Sequence, residues 1–456
     1  MNRPICEFVG RYAQSKALRL HMPGHKGTDL IGAEQLDITE IEGADSLYEA
    51  NGIIRESEAN TGRLFGAKTF YSTEGSSLCI RAMLYLTALY AKQKGKRPLI
   101  AAGRNAHKTF VSAAALLDFD VMWLCSDSSD SYLSCKLNAA ALDEMLSRTT
   151  EKPVAVYLTS PDYLGNITEL SSVANVCRRH GVLLLVDNAH GAYLRFLPES
   201  CHPIDLGADI CCDSAHKTLP VLTGGAYLHI SHSAPLLFSE QAKNAMALFG
   251  STSPSYLILQ SLDAVNAYLA DDYRARLCQF ITQVCSLRKK LEKQGYCLLG
   301  DEPLKITLST KPYGYGGKTF AKLLWESNIV CEFADPDYAV MMLTPETGLS
   351  GLNRLEEVLC AIPQRQPIAE KPPAFHLPER VMSLREAALS PCESVPISES
   401  VGRVLATASV SCPPAVPIAV SGERIDAEAL RRFSYYGITD CTVVQKSVCP
   451  NPEISG

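Results

Sequence analysis

No stretch of the chain approaches the roughly 18–20 consecutive apolar residues that a membrane-crossing helix needs, so a membrane partner is not expected. The first residues, MNRPICEFVGRYAQSKALRLHMPGHKG, lack the uninterrupted apolar core of a secretory signal. Neither sign of charge is in large excess. Forty-three basic and 49 acidic residues leave a net charge of −6, which argues against an electrostatic grip on nucleic acid. The 17 cysteines contain no C-x-x-C pair and are odd in number. Several of them (Cys177, Cys211, Cys212, Cys331, Cys360) lie inside apolar runs. They read as buried free thiols acting as small hydrophobes rather than as disulfides or metal ligands, and a reducing cytoplasm is the expected location. Internal repeats and low-complexity tracts are also missing. What remains is an ordinary globular composition, 46% hydrophobic and 20% charged, in a chain too long for one core.

From about residue 65 to 270, short apolar runs alternate with helix-length amphipathic segments. PLIAA (98–102), DVMWL (120–124), VAVYL (154–158), VLLLV (182–186), ADICC (208–212) and GAYLHI (225–230) read as strands buried on both faces. Helices are expected near Leu78–Gln93, Ala139–Ser147 and Leu170–His180. This pattern predicts an α/β fold with a mostly parallel sheet. A long helical stretch, roughly Tyr256–Leu291, leads out of that domain. LKITLST (304–310), a helix near Lys318–Ser327, YAVMMLT (338–344) and a helix near Leu352–Ala361 suggest a small α/β domain. The expected division is an N-terminal arm and entry segment at 1–65, a large domain at 66–270 and a small domain at 271–361. A proline-rich linker at 362–376 and a C-terminal domain at 377–456 follow, the latter with a helix around Ser383–Ala388.

Ligands of parallel α/β sheets bind beyond the carboxyl ends of the strands, and three such ends carry unusual polar residues. Asp187 follows VLLLV, with His190 three residues on. Ser214, His216 and Lys217 follow ADICC, and His107 follows PLIAA. A carboxylate, a lysine and a flat imidazole together suit pyridoxal phosphate. A lysine amine forms an imine with that cofactor's aldehyde, and an aspartate keeps its ring nitrogen protonated. The loop STEGSS (72–77) opens a helix, where backbone N–H groups with Ser76 and Ser77 suit a phosphate. Each residue alone has a plainer reading: Asp187 as a helix cap, Lys217 as a solvated lysine, either histidine as a structural one. GYGGKT (314–319) ends like a P-loop, but Pro312 stands where that motif needs glycine, so it reads as a turn.

These residues carry a family resemblance. DSAHKTLPVLTGGAYLH (213–229) resembles the cofactor-lysine segment of the Orn/Lys/Arg decarboxylase family, within fold type I pyridoxal-phosphate enzymes. HMPGHKG (21–27), GRNAHKT (103–109), VDNAHGAY (186–193), STSPSY (251–256) and the stretch 385–425 are similar to that family in the expected order. The resemblance is to the family's short form, without an extra N-terminal domain. It implies an aminotransferase-like large domain, a small α/β domain and a small C-terminal domain. It implies Lys217 as the Schiff-base lysine, Asp187 at the pyridine nitrogen and His107 stacked on the ring. Ser76, Ser77, Ser214 and His216 would lie around the phosphate, and Thr252 would reach a phosphate across a dimer interface. His190 would sit near the phenolic oxygen or the imine, and His216 or Lys217 would protonate Cα. The implied reaction is α-decarboxylation of lysine, arginine or ornithine, giving carbon dioxide and a di- or polyamine precursor, in a homodimer or larger homo-oligomer. Glu423 would either meet the substrate's distal cation or be an exposed turn carboxylate.

Some positions depart from the family pattern. Glu74-Gly75-Ser76-Ser77 replaces an N-G-S-T phosphate loop, and an inward Glu74 would weaken cofactor binding. Ala415 and Ser421 replace a glycine and a proline of the C-terminal turns. Two other readings stay open. One is another fold type I reaction, an aminotransferase or aldolase, although the absence of arginine from 304–344 favours decarboxylation. The other is a degenerate relative acting as a regulatory partner.

Overall fold

The computed structural model describes residues 1–125, 131–407 and 415–447. Seven strands form the main sheet: β1 (Lys68–Ser72), β2 (Leu99–Gly103), β3 (Asp120–Leu124), β4 (Ala155–Thr159), β5 (Leu183–Asp187), β6 (Ile210–Asp213) and β7 (Ala226–Ile230), in the order β1-β7-β6-β5-β4-β2-β3. Neighbours from β6 through β5, β4 and β2 to β3 pair in parallel. β7 alone runs against its neighbours, β6 and β1.

All six strands expected in this region are present, within about two residues of the expected ends. The structure corrects three expectations. KTFYS forms a seventh strand, at the sheet edge, where its exposed Lys68 and half-buried Phe70 hid the pattern. DVMWL is not buried on both faces, because β3 closes the other edge and leaves Asp120, Met122 and Trp123 half-buried. The stretch 256–291 is two helices, Tyr256–Ala270 and Tyr273–Lys293, broken at Asp271 and Asp272. The thiol expectation also needs correction in part. The described cysteines are free, but Cys331 is half-buried and Cys360 is exposed.

β8 (Cys297–Leu299), β9 (Lys305–Ser309), β10 (Phe333–Ala334) and β11 (Tyr338–Met342) make a second, antiparallel sheet in the order β10-β11-β9-β8. Helices Gly317–Glu326 and Gly348–Ala361 belong to this part of the chain. β12 (Cys392–Pro396) pairs with β13 (Asp440–Val444) near the C-terminus. Ser383 caps the helix Leu384–Leu389 through a capping box with Glu386, worth about 1 kcal/mol. Leu384 and Val420 join the core formed by helix Gly75–Gln93 and the main sheet, so the C-terminal part is packed onto the large one.

Candidate active site

The parallel strands carry the chemistry-bearing residues to one edge. Asp187 is the last residue of β5, Ser214–Lys217 follow β6 directly, and Arg104–His107 follow β2. The Lys217 Nζ lies 2.9 Å from the His190 Nε2. Burial pulls the Lys217 ammonium down from its ordinary range, with Asp187 and Glu332 opposing that pull. Burial pushes the Asp187 carboxyl up, and Lys217 counters it. The Asp187 carboxylate accepts from the Tyr157 hydroxyl at 3.2 Å and from the Ala189 N–H at 3.2 Å. A buried acid held this way needs a cation to be fully ionised.

His107 caps the helix Lys108–Leu117. Its Nδ1 accepts from the Thr109 N–H at 3.1 Å, which leaves the proton on Nε2. Burial, with Lys217, Lys108 and Arg81 adding to it, lowers its pKa from 6.5 to about 4, so the ring is neutral and flat. The Ser214 hydroxyl donates to the Ser76 hydroxyl at 2.8 Å, and Ser77 reaches the Thr109 hydroxyl at 3.2 Å. These hydroxyls surround the first turn of helix Gly75–Gln93, whose unpaired N–H groups attract anions. Gly224 lets the loops meet there. It sits at φ +100°, and a Cβ would come within 2.7 Å of the Thr73 carbonyl. Its own carbonyl takes the Gly75 N–H at 2.7 Å. His216 is tied back, donating from Nδ1 to the Gly225 carbonyl at 3.0 Å.

The outlying residues are placed differently. Glu74 is exposed, and its Oε1 accepts the Ser251 N–H at 2.6 Å. It anchors the segment bearing Thr252, which is itself exposed. Glu423 is 2% exposed and pairs with Arg104 at 3.2 Å, so it is not an exposed turn carboxylate. Sequence reading missed several residues. Lys305, the first residue of β9, lies 2.9 Å from the His190 Nδ1. Glu302 pairs with Lys305 at 2.6 Å. The Tyr163 ring lies 5.2 Å from that of His190, and its hydroxyl donates to Glu332 at 3.0 Å. A lysine opening an apolar strand was the one available signal for Lys305, and it does not name a partner.

Two family models match the chain: Orn/Lys/Arg decarboxylase, major domain, over residues 3–299, and Orn/Lys/Arg decarboxylase, C-terminal domain, over residues 371–442. The chain belongs to the Orn/Lys/Arg decarboxylase family. Enzymes of this family are pyridoxal-phosphate-dependent amino acid decarboxylases. The chain is 28% identical over 460 residues to an arginine decarboxylase of Bacillus subtilis, covering 93% of this chain and 91% of that one. It is 27% identical over 466 residues to the uncharacterized protein YaaO of the same organism, covering 95% and 94%. The fold matches the constitutive lysine decarboxylase of Escherichia coli with a TM-score of 0.77 at 17% identity, over 97% of this chain and 82% of that one. Among the described residues, no helix is long and apolar enough to cross a membrane.

The donor set fits the family's cofactor. A buried carboxylate without a full counter-charge, a depressed lysine, a neutral imidazole and a hydroxyl-lined helix start are the groups that pyridoxal phosphate needs.

Proposed function

We propose that this decarboxylase acts on arginine, lysine or ornithine, releasing carbon dioxide from Cα and leaving the corresponding diamine or agmatine-like amine. The observation that carries this reading is the meeting of Lys217, His190 and Asp187 at one strand edge. Pyridoxal phosphate, when bound, supplies an electron sink for the pair left as the Cα–carboxylate bond breaks. The residues around it do the rest. Lys217 would hold the cofactor through its amine. Asp187 keeps a proton on the ring nitrogen. His107 offers a neutral flat face. Ser76, Ser77 and Ser214, with His216 beside them, hold the phosphate. His216 or Lys217 returns a proton to Cα.

Glu332 is our choice for the substrate's distal cation. It is exposed, its charge acts on Lys217 and His216, and its partner Tyr163 stands against His190. Glu423 suits that role less well, because Arg104 already neutralises it.

The working unit in this reading is a homodimer or larger homo-oligomer. The N-terminal arm leaves Leu18, Leu20, Leu30 and Ile31 largely exposed, an apolar stretch that a second copy would cover. The exposed Thr252 would serve the phosphate of that second copy. The cytoplasm and amine biosynthesis are the proposed setting. Incubation with arginine, lysine and ornithine, followed by identification of the amine and of carbon dioxide, tests the reaction and its substrate together. A keto acid without carbon dioxide would overturn decarboxylation.

A further inference from the structure

His190 stands between two amines. Its Nε2 lies 2.9 Å from the Lys217 Nζ and its Nδ1 lies 2.9 Å from the Lys305 Nζ. A neutral imidazole has one N–H donor and one acceptor, and which nitrogen donates depends on its neighbours. The ring is neutral: burial above all, with the Lys305 charge beside it, holds its pKa well below the usual range. The surroundings of Lys305 decide the rest.

Lys305 is 1% exposed, as is Glu302, its ion-pair partner at 2.6 Å. The same nitrogen donates to the Asp162 carbonyl at 3.2 Å. An ammonium has three donors and no acceptor. Two of them meet the Asp162 carbonyl and the His190 Nδ1, and the Glu302 carboxylate balances the charge. The Nδ1 is therefore the acceptor, and the ring proton sits on Nε2, facing Lys217. A nitrogen that receives this proton must offer a lone pair, so the free Lys217 is an amine rather than an ammonium.

We propose that Lys305 is a positioning residue that fixes His190 as the Nε2–H tautomer and thereby holds the Lys217 nitrogen as an acceptor. This rests on the reading of Lys217 as the cofactor lysine. A lysine held without its extra proton is nucleophilic at neutral pH. Glu302 and Lys305 come from the small antiparallel part of the chain and His190 from the large one, so the device ties the two together at the reacting nitrogen. Besides Lys305, the titratable groups acting on Lys217 and His190 are Asp187, Cys212, His107, His216 and Glu332.

The test is nitrogen-15 NMR of histidine-labelled protein, with Lys305→Met compared with wild type. The double variant Glu302→Gln/Lys305→Met removes both members of the buried pair and covers the case in which the single variant does not fold. Wild type should show His190 as the Nε2–H form, and the variants should lose that preference. The pH midpoint of cofactor uptake, read by visible absorbance, should rise by about one unit in the variants, and Lys305→Arg should restore part of it. An unchanged Nε2–H tautomer and midpoint in both variants would overturn the proposal while leaving the site intact. Wild type that takes up no cofactor would instead overturn the reading of the site.

Discussion

Glu423 and Arg104 face each other as a buried ion pair, 3.2 Å apart, with both side chains under 5% exposed. The Arg104 guanidinium also donates to the Pro417 and Ile418 carbonyls and lies over the Trp123 ring. The Lys108 N–H adds a bond to the Ala415 carbonyl. The pair thus clamps the C-terminal segment onto the loop that carries His107.

Removing one partner of such a pair strands the other charge. Glu423→Ala should cost about 3–5 kcal/mol of stability, with Glu423→Gln costing less, read by thermal or denaturant unfolding. KM for the amino acid should stay within about twofold in Glu423→Gln, since a shift under 0.5 kcal/mol means no lost contact. A tenfold rise in KM without loss of stability would return Glu423 to the substrate.

Glu332→Gln should behave in the opposite way. Stability should hold, because the group is exposed. KM for a basic amino acid should rise about tenfold or more, as expected for loss of a charge-assisted contact worth about 1.5–3 kcal/mol. Steady-state kinetics on arginine and lysine check this.

Much of the fold was legible because parallel strands buried on both faces read as continuous apolar runs, as in VLLLV. The edge strand KTFYS escaped because its outward residues face solvent. The break at Asp271 and Asp272 escaped because neither residue is a glycine or proline. Asp187, His190 and Lys217 could be singled out as candidates because they sit at or just after strand ends, which the apolar runs make legible. Glu302 and Lys305 were not, since their meaning depends on a contact of more than a hundred residues' separation. The pairing of Glu423 with Arg104 was hidden for the same reason.

Ala415 adopts φ +64°, a left-handed conformation that favours glycine. An L-residue pays about 1–2 kcal/mol there, partly offset by the greater freedom of an unfolded glycine. Ala415→Gly should raise stability by about 0.5–1 kcal/mol, a small increase in Tm.

Acid should weaken the fold through His107. The unfolded chain takes up its proton near pH 6.5 and the folded chain only near pH 4. Between those values unfolding draws in a proton, so this contribution is complete above 6.5 and declines as pH falls. His190, with its pKa lowered in the same direction, adds to the trend. Denaturant unfolding of the cofactor-free protein from pH 7 to 4 should show it, and His107→Asn, which keeps a capping side chain, should flatten the slope.

The measurement closest to the central claim is the visible spectrum of Lys217→Ala after exposure to pyridoxal phosphate, beside wild type. Wild type should be yellow, with an absorbance that survives gel filtration and gives carbon dioxide from a basic amino acid. The variant should fold, lose that absorbance and release no carbon dioxide. A Lys217→Ala protein with an unchanged spectrum would contradict the account.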